Sequence, residues 1–144
     1  MVENAVYKAV VTTPNQDEGG GHIYLGLASG LVKLRVSNHY RSFTNPGLRS
    51  GCELAKYIWH LKDRGLNDYS IKWEIIATEF TFNRSSDRCH LCIREKLEIM
   101  KYMKKFGSKV INKRGELFRK CLHRFKHCLG NIDSFRILIS NKKT

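Results

Sequence analysis

The chain has 144 residues, a length that favours one domain with its own hydrophobic core. Its 26 lysine and arginine residues against 13 aspartate and glutamate residues give a formal net charge of +13, so we expect a polyanionic partner, with nucleic acid ahead of an anionic membrane. The sequence has no run of about 18 apolar residues and no secretory signal at its start, so we expect neither a membrane span nor secretion.

The cysteines are odd in number and unevenly spread. There are five, and four of them stand in two short clusters, Cys89 with Cys92 and Cys121 with Cys128. Such clusters are more typical of metal binding in a reducing compartment than of a disulfide framework. We therefore expect an intracellular protein, nuclear if its source is eukaryotic.

The first part of the chain predicts a β-hairpin followed by a helix. The runs at 5–12 and 22–28 are short and apolar, as strands are, and the segment between them is polar and rich in glycine. At 31–40 the apolar residues follow a helical spacing, with basic residues between them.

A second helix and a third strand are predicted next. Ser50 and Glu53 have the spacing of a capping box, and Gly65 is a typical end signal, so the helix is predicted at 50–65. The alternating pattern at 71–79 predicts the third strand.

The remaining elements are predicted to be mostly helical. A helix at 92–107 carries a stripe of the apolar residues Ile93, Leu97 and Met100. A basic helix is predicted at 113–127 with Asn112 as its cap, and a last strand at 134–140. Together the elements predict an α+β fold, a small, mostly antiparallel three-stranded sheet flanked by helices, in a single domain over 1–144.

The cysteine clusters predict a zinc site. Cys89 and Cys92 have the spacing of one ligand pair, and Cys121 with His123 forms a second. Four protein ligands fill a tetrahedral site and leave no position for water, so such a zinc is structural. The fourth ligand stays open at this point, because the sequence also offers His90, His127 and Cys128.

A redox role for Cys89 and Cys92 is the alternative interpretation of this motif. It requires a thioredoxin-like strand before the first cysteine, but the preceding residues, SSDR, are typical of a loop. The metal interpretation is therefore preferred.

One carboxylate follows the cysteine pair at helical spacing. Hydrolysis of a phosphodiester requires a base for water and positive charge on the phosphate oxygens, and Mg²⁺ prefers carboxylate ligands. Glu95 stands three residues after Cys92, so both lie on one face of the helix. A zinc ion bound by Cys92 would then fix the start of the helix that presents Glu95.

Several short motifs together resemble one enzyme family. Val6-Tyr7 and Tyr24-Leu25-Gly26 resemble the two signatures of the GIY-YIG endonucleases, and the later positions that match the family are Arg35, His39, Glu95 and Asn112. The run from ELAKYIWHLKDRG to KCLH is similar to GIY-YIG domains of eukaryotic mobile elements, the Penelope-like retroelements among them. The resemblance covers about residues 5–124 and leaves 125–144 as a C-terminal extension. Ala5 replaces the usual first glycine, and Leu25 replaces an isoleucine.

The resemblance implies a nuclease that cuts DNA with one Mg²⁺ or Mn²⁺. Glu95 would bind this metal, Tyr7 would act on the attacking water as a general base or orient it, and Tyr24 would hydrogen-bond the phosphate or the water. Arg35 would stabilise the charged phosphate, because its guanidinium fork matches two oxygens.

The resemblance also implies roles at the margin of the site. His39 would support proton transfer or contact the DNA backbone, and Asn112 would position the strand that is cut. The sequence further predicts a set of DNA-contacting residues: Lys33, Arg35, Tyr40, Arg41, Lys113, Arg114, Arg119 and Lys120.

The leading hypothesis is thus a metal-dependent DNA endonuclease, with structural Zn²⁺ and catalytic Mg²⁺ or Mn²⁺. The alternative is a zinc-stabilised module that binds DNA without cutting it. We expect a monomer with no small-molecule substrate, and the mobile-element resemblance suggests a domain cut from a larger protein.

Overall fold

The computed structural model describes residues 2–14, 20–83, 88–121 and 123, without the side chains of residues 82 and 83. It confirms the predicted α+β class, with a three-stranded antiparallel sheet flanked by helices. The predicted strand at 134–140, the extension at 125–144, and the candidate ligands His127 and Cys128 lie outside the described residues.

The sheet is built around its first strand. The strand β1 (Glu3–Thr12) pairs antiparallel with β2 (His22–Leu31) on one side and with β3 (Ser70–Thr78) on the other. The predictions of three strands are confirmed, and β2 continues to Leu31 rather than ending at residue 28. As the central strand, β1 buries successive residues on both faces, which explains its nearly continuous apolar sequence.

Two helices cover one face of this sheet. They are α1 (Val32–Thr44) and α2 (Glu53–Asp63). The β1 side chains that face them are Tyr7, Ala9 and Val11, and these pack in one core cluster with Phe43, Leu54 and Ile58. Because side chains alternate along a strand, the residues between them point to the other face.

The other face is covered by α3 (His90–Phe106). Val6 packs there with Leu91 and Cys89, and farther along Leu25 packs with Ile99. A short hairpin of β4 (Phe82–Asn83) and β5 (Arg88–Cys89) leads directly into this helix. The helix ends at Gly107, whose φ of 57° lies in the left-handed region that glycine tolerates.

The predicted stripe of α3 is exposed rather than buried. Ile93, Leu97 and Met100 are 41%, 54% and 54% exposed. The helix instead turns a second apolar row toward the sheet, formed by Leu91, Ile99, Tyr102, Met103 and Phe106. That row carries more apolar surface, so burying it is the stronger driving force.

The capping box predicted at Ser50 is wrong. The helix α2 begins at Glu53, and the Sγ of Cys52 accepts a hydrogen bond from the backbone N–H of Ala55 at 3.5 Å. Glu53 instead pairs with Lys56 at 3.0 Å. The end of the helix is close to the prediction, because Gly65 follows with a φ of 77°.

The basic helix predicted at 113–127 is largely missing from the described part of that range, where only His123 is α-helical. Residues Arg114–Phe118 form a short 3₁₀ turn, and Arg119 and Lys120 follow it in an irregular conformation. Asn112 is not a helix cap, because its side chain binds β2 instead. From residue 124 onward the prediction lies outside the described residues.

Among the described residues, no helix combines the length and the apolar content needed to cross a membrane.

Candidate active site

Three of the predicted catalytic residues line one cavity at the edge of β2. Tyr24 comes from β2, Arg35 from α1 and Glu95 from α3. The cavity has a volume of about 180 Å³, and the remaining lining residues are Leu27, Cys92, Lys96, Arg119, Lys120 and His123. The helices α1 and α3 cover opposite faces of the sheet and both contribute to this cavity, so residues far apart in sequence meet there.

Tyr7 and His39 form a buried pair behind this cavity. The Tyr7 hydroxyl lies 2.6 Å from Nε2 of His39, and the two residues are 1% and 2% exposed. Burial lowers the pKa of His39 to about 3, with the nearby Arg35 acting in the same direction, so the imidazole is neutral at neutral pH. A buried side chain does not reach DNA, so the predicted backbone contact of His39 is wrong, and a role in proton transfer stays a prediction.

Gly26 is what allows the Tyr7 ring to lie against β2. Tyr7 stands opposite Gly26 in the antiparallel register. A Cβ added at Gly26 would lie 2.5 Å from the Tyr7 hydroxyl oxygen and 2.7 Å from the ring carbon that carries it. The glycine of the Tyr-Leu-Gly motif therefore has a steric reason in this fold.

Arg35 supplies the positive charge beside the two tyrosines. Burial raises the pKa of both Tyr7 and Tyr24, while Arg35 acts to lower it. Burial also acts to lower the pKa of Arg35, but the tyrosine hydroxyls opposite it, including the Tyr7 oxygen to which Arg35 donates a hydrogen bond, leave that pKa raised. At neutral pH the group is thus a permanent guanidinium facing two neutral phenols.

Cys52 is a neighbour of this group that the sequence did not indicate. Its Sγ lies 3.8 Å from Nδ1 of His39 while it also caps α2. On its other sides the His39 ring stacks on Trp73 and Phe43, with centroid distances of 5.6 and 6.2 Å. A lone cysteine near a helix start carries no sequence signal for such a contact.

Glu95 is a carboxylate whose proton affinity is raised by its surroundings. Burial raises its pKa to about 7, and the nearby Glu116 acts in the same direction. Arg119, Lys96 and Arg35 act against this rise. A bound cation would favour the ionised form, so the chemistry of this position suits a hard divalent metal.

Asn112 binds the edge of β2 rather than lining the cavity. Its Nδ2 donates to the carbonyl of Leu25, and its Oδ1 accepts from the N–H of Leu25, both at 2.8 Å. The same Nδ2 also donates to Glu116 at 3.2 Å, and Asn112 is only 5% exposed. The side chain therefore pairs with β2 as a neighbouring strand would, and the predicted role of Asn112 in positioning the strand that is cut stays a prediction.

Beside the cavity, Cys89, Cys92, Cys121 and His123 form a cluster that could hold a metal ion. Their ligand atoms all lie within 4.8 Å of one another. Nδ1 of His123 lies 3.5, 3.1 and 3.6 Å from the sulfurs of Cys89, Cys92 and Cys121. Tetrahedral zinc with Zn–S of about 2.3 Å and Zn–N of about 2.0 Å requires a nitrogen–sulfur separation of about 3.5 Å, so the donor set fits this ion.

The cluster narrows the candidates for the fourth zinc ligand. His123 belongs to the group of converging atoms, whereas His90 does not. Burial raises the pKa of the Cys89 and Cys92 thiols, so a bound cation is needed to hold them as thiolates.

The predicted DNA-contacting residues do not share one location. Arg35, Arg119 and Lys120 line the cavity, whereas Lys113 lines a separate one beside His22. Tyr40 accepts a hydrogen bond from Nε1 of Trp73 at 2.8 Å. The other predicted residues are exposed elsewhere on the surface: Lys33, Arg41 and Arg114.

Sequence reasoning missed Lys96 and Glu116. Lys96 lines the cavity, and its Nζ donates to the carbonyl of Arg119 at 2.7 Å. Its position directly after Glu95 could have indicated this location. Glu116 is buried and accepts from the N–H of Lys113 at 2.7 Å as well as from Asn112, which no local pattern indicated.

Comparison of the chain with family models, curated proteins and solved structures found no match. The resemblance to GIY-YIG endonucleases therefore rests on the motifs and stays a prediction.

Proposed function

We propose that this protein is a divalent-metal-dependent endonuclease that hydrolyses phosphodiester bonds of DNA. The observation that carries the proposal is the single cavity in which Tyr24, Arg35 and Glu95 converge, with the Tyr7–His39 pair behind it. A carboxylate for a hard metal, a guanidinium for a phosphate and hydroxyls for water are the groups that this hydrolysis requires.

Glu95 would hold Mg²⁺ or Mn²⁺ at the cavity. When bound, the cation would supply a Lewis acid for the phosphate oxygens. Arg35 would bind a phosphate oxygen and stabilise the charge that grows on it, and Tyr24 would orient the phosphate or the water by a hydrogen bond.

Tyr7 would relay a proton from the attacking water. Because His39 is neutral, its Nε2 accepts the phenolic proton when Nδ1 carries the ring proton toward Cys52. The Tyr7 oxygen would then take a proton from water, whose oxygen forms the new bond to phosphorus while the bond to the leaving oxygen breaks. The relay avoids an ionised Tyr7, which its raised pKa disfavours. Because the pKa of His39 is lowered, the imidazolium would release its proton to solvent, and solvent water would protonate the leaving oxygen.

The Cys3His cluster would hold a structural zinc, with His123 as the fourth ligand. All four positions of a tetrahedron are filled by the protein, so this ion would take no water and no part in hydrolysis. Elemental analysis of the purified chain should give about one zinc, and Cys92→Ser should lose it.

The biological role that we infer is cleavage of DNA for mobile-element integration by a monomer that cuts one strand in each binding event. The runner-up function is a DNA-binding module that does not cut. It is favoured by the cavity's cations and the net charge of +13, which are sufficient for binding alone.

Relaxation of supercoiled plasmid with Mg²⁺ or Mn²⁺ separates the two functions. The parent chain should give relaxed or linear product, and Glu95→Ala should give neither while it binds DNA as well as the parent. If both proteins cut equally, Glu95 is not the metal ligand. If both bind and neither cuts, the binding module is the correct description.

A further inference from the structure

A second cavity continues the candidate active site along β2. It has a volume of about 470 Å³ and is lined by residues 27–31 together with Leu34, Arg35, Asn38 and His123. Leu27, Arg35 and His123 also line the first cavity. The two cavities are therefore one continuous groove, and a residue of the metal cluster lies where they join.

The groove has two walls of different origin. One wall is α1, which contributes Arg35 and Asn38. The other wall is formed by Arg119, Lys120 and His123. The first wall belongs to a helix that packs on the sheet, whereas residues 119–121 of the second follow a short 3₁₀ turn in an irregular conformation.

The metal cluster fastens this second wall to the rest of the protein. Cys121 and His123 converge with Cys89 and Cys92 at the start of α3. A further contact is the hydrogen bond from Lys96 to the carbonyl of Arg119. The main core cluster on the opposite face of the sheet contains none of these ligands.

The charge of the groove suits a polyanion. Arg35, Lys96, Arg119 and Lys120 line it, and Glu95 is the one acidic residue among the described lining residues. A divalent cation at Glu95 would offset that negative charge, and each phosphate that binds a lysine or arginine releases counterions.

We propose that the Cys3His centre builds the substrate groove, in that its metal holds residues 119–121 and His123 as a cationic wall along which one DNA strand lies. Metal occupancy then sets the affinity for DNA, not merely the stability of the fold. The choice of DNA as the polyanion rests on the proposed function, but the role of the metal does not depend on cleavage.

The test is DNA binding by the same chain with and without its zinc. A fluorescent duplex oligonucleotide is titrated over a NaCl series, without added divalent cations, against the parent, the parent stripped of zinc, and Cys121→Ser. Zinc-free protein should bind about tenfold more weakly at about 0.15 M salt and lose about two units of the logarithmic salt slope, one for each of Arg119 and Lys120. Unchanged affinity and slope after zinc release would overturn the proposal.

Hydrogen exchange distinguishes local unfolding of the groove wall from unfolding of the whole protein. In the zinc-free protein the amides of residues 114–121 should exchange rapidly, while those of β1 and of α2 stay protected. If β1 and α2 lose protection together with the segment, the metal supports the whole fold and the proposal is wrong. Cys52→Ser is the matched thiol control, because Cys52 lies outside the cluster, and this variant should keep its zinc.

A charge variant tests the wall without touching the metal. The double variant Arg119→Gln with Lys120→Gln should keep its zinc and reproduce the weaker binding and the smaller salt slope. The control is Lys72→Gln with Lys104→Gln, which removes the same charge from exposed positions outside both cavities. Equal losses in the two double variants would show that net charge alone governs binding and would contradict a specific wall.

These outcomes are independent of the nuclease proposal. If the protein never cuts DNA but its DNA affinity and salt slope fall when zinc is removed, the groove proposal stands and the nuclease proposal fails. If the protein cuts DNA and binds it equally well with and without zinc, the nuclease proposal stands and the groove proposal fails.

Discussion

At the scale of single residues, the candidate site consists of groups whose charges are set by burial. Tyr7 is kept neutral by a raised pKa, and His39 is kept neutral by a pKa of about 3. Arg35 stays charged between them, and Glu95 titrates near pH 7. Perturbed groups that line a cleft or lie directly behind it are typical of functional sites.

The raised pKa of Glu95 predicts that this residue destabilises the folded protein when no divalent cation is bound beside it. Folding moves its pKa from 4.5 to about 7, so the folded state disfavours the carboxylate. That cost is absent below pH 4.5, where the carboxyl is protonated in both states, and is complete above pH 7. Glu95→Gln should therefore raise the free energy of unfolding by about 1–3 kcal/mol at about pH 8 and change it little at about pH 4.

Thermal unfolding at these two pH values, without added magnesium, measures this difference, with parent and variant compared at each pH so that release of zinc in acid affects both alike. A loss of stability at the higher pH would show that the carboxylate is well accommodated in the fold, contrary to the pKa shift.

Gly26 provides a second residue-scale prediction. Gly26→Ala should push the Tyr7 ring away from β2, because the new methyl group would lie 2.5 Å from the hydroxyl oxygen. We expect a loss of about 1–3 kcal/mol in unfolding free energy, together with a marked fall in DNA cleavage. Denaturant unfolding and single-turnover cleavage are the measurements.

The stability control is Gly30→Ala, in the same strand. A Cβ at Gly30 meets nothing within 4 Å, so this variant should unfold at the denaturant concentration of the parent or above it. If the two variants are equally stable, the close approach of Tyr7 to β2 is not rigid.

At the scale of elements, the open edge of β2 is closed by a side chain instead of a strand. Asn112 pairs with both backbone groups of Leu25, and two residues earlier Val110 makes a bridge to Ile23. The segment 110–112 therefore fixes the strand that carries Tyr24. This pairing explains why an asparagine outside the cavity can still matter for the site.

Removal of the Asn112 amide should expose that dependence. Asn112→Ala leaves the buried N–H and C=O of Leu25 without these partners, and each unsatisfied group costs about 1–3 kcal/mol. Urea unfolding should show a loss of about 2–4 kcal/mol. A loss below about 0.5 kcal/mol would mean that water or a neighbouring group replaces the amide.

Asn112→Asp is the matched variant for this position. It keeps the shape but removes the donor to Leu25 and places a carboxylate beside Glu116. Burial and Glu116 would raise the pKa of the new carboxyl. The free energy of unfolding of this variant should therefore be higher at about pH 5 than at about pH 8. No difference between the two pH values would place the substituted side chain in solvent.

Sequence patterns predicted some elements well and others poorly, for physical reasons. The strands were predictable because alternation and β-branched runs directly reflect burial on a sheet. The orientation of α3 was not, because two apolar rows compete on that helix, and the sheet decides between Ile93, Leu97 and Met100 on one side and Leu91 and Ile99 on the other. The cap of α2 was missed because a cysteine is an uncommon cap.

At the scale of the whole molecule, the sheet and two layers of helices converge on one groove. The candidate catalytic residues were predictable because the family motifs mark their positions, and the metal cluster was predictable because its ligand spacings are typical of zinc. The link between the two sites through Cys92 was predictable from its spacing to Glu95, whereas the place of His123 in the cavity was not, because it depends on how the chain after the 3₁₀ turn returns to α3.

The central claim is that this groove hydrolyses DNA through a divalent metal at Glu95. The most direct test is single-turnover cleavage of an end-labelled duplex, with protein in excess and the reaction started by Mg²⁺, for the parent beside Glu95→Gln. DNA affinity is measured on the same mixtures in Ca²⁺. The account predicts metal-dependent cleavage by the parent and a rate at least about 100-fold lower for the variant, with affinities that agree within about threefold. Cleavage by the variant at the parent's rate, or none by either protein while both bind, would contradict the account.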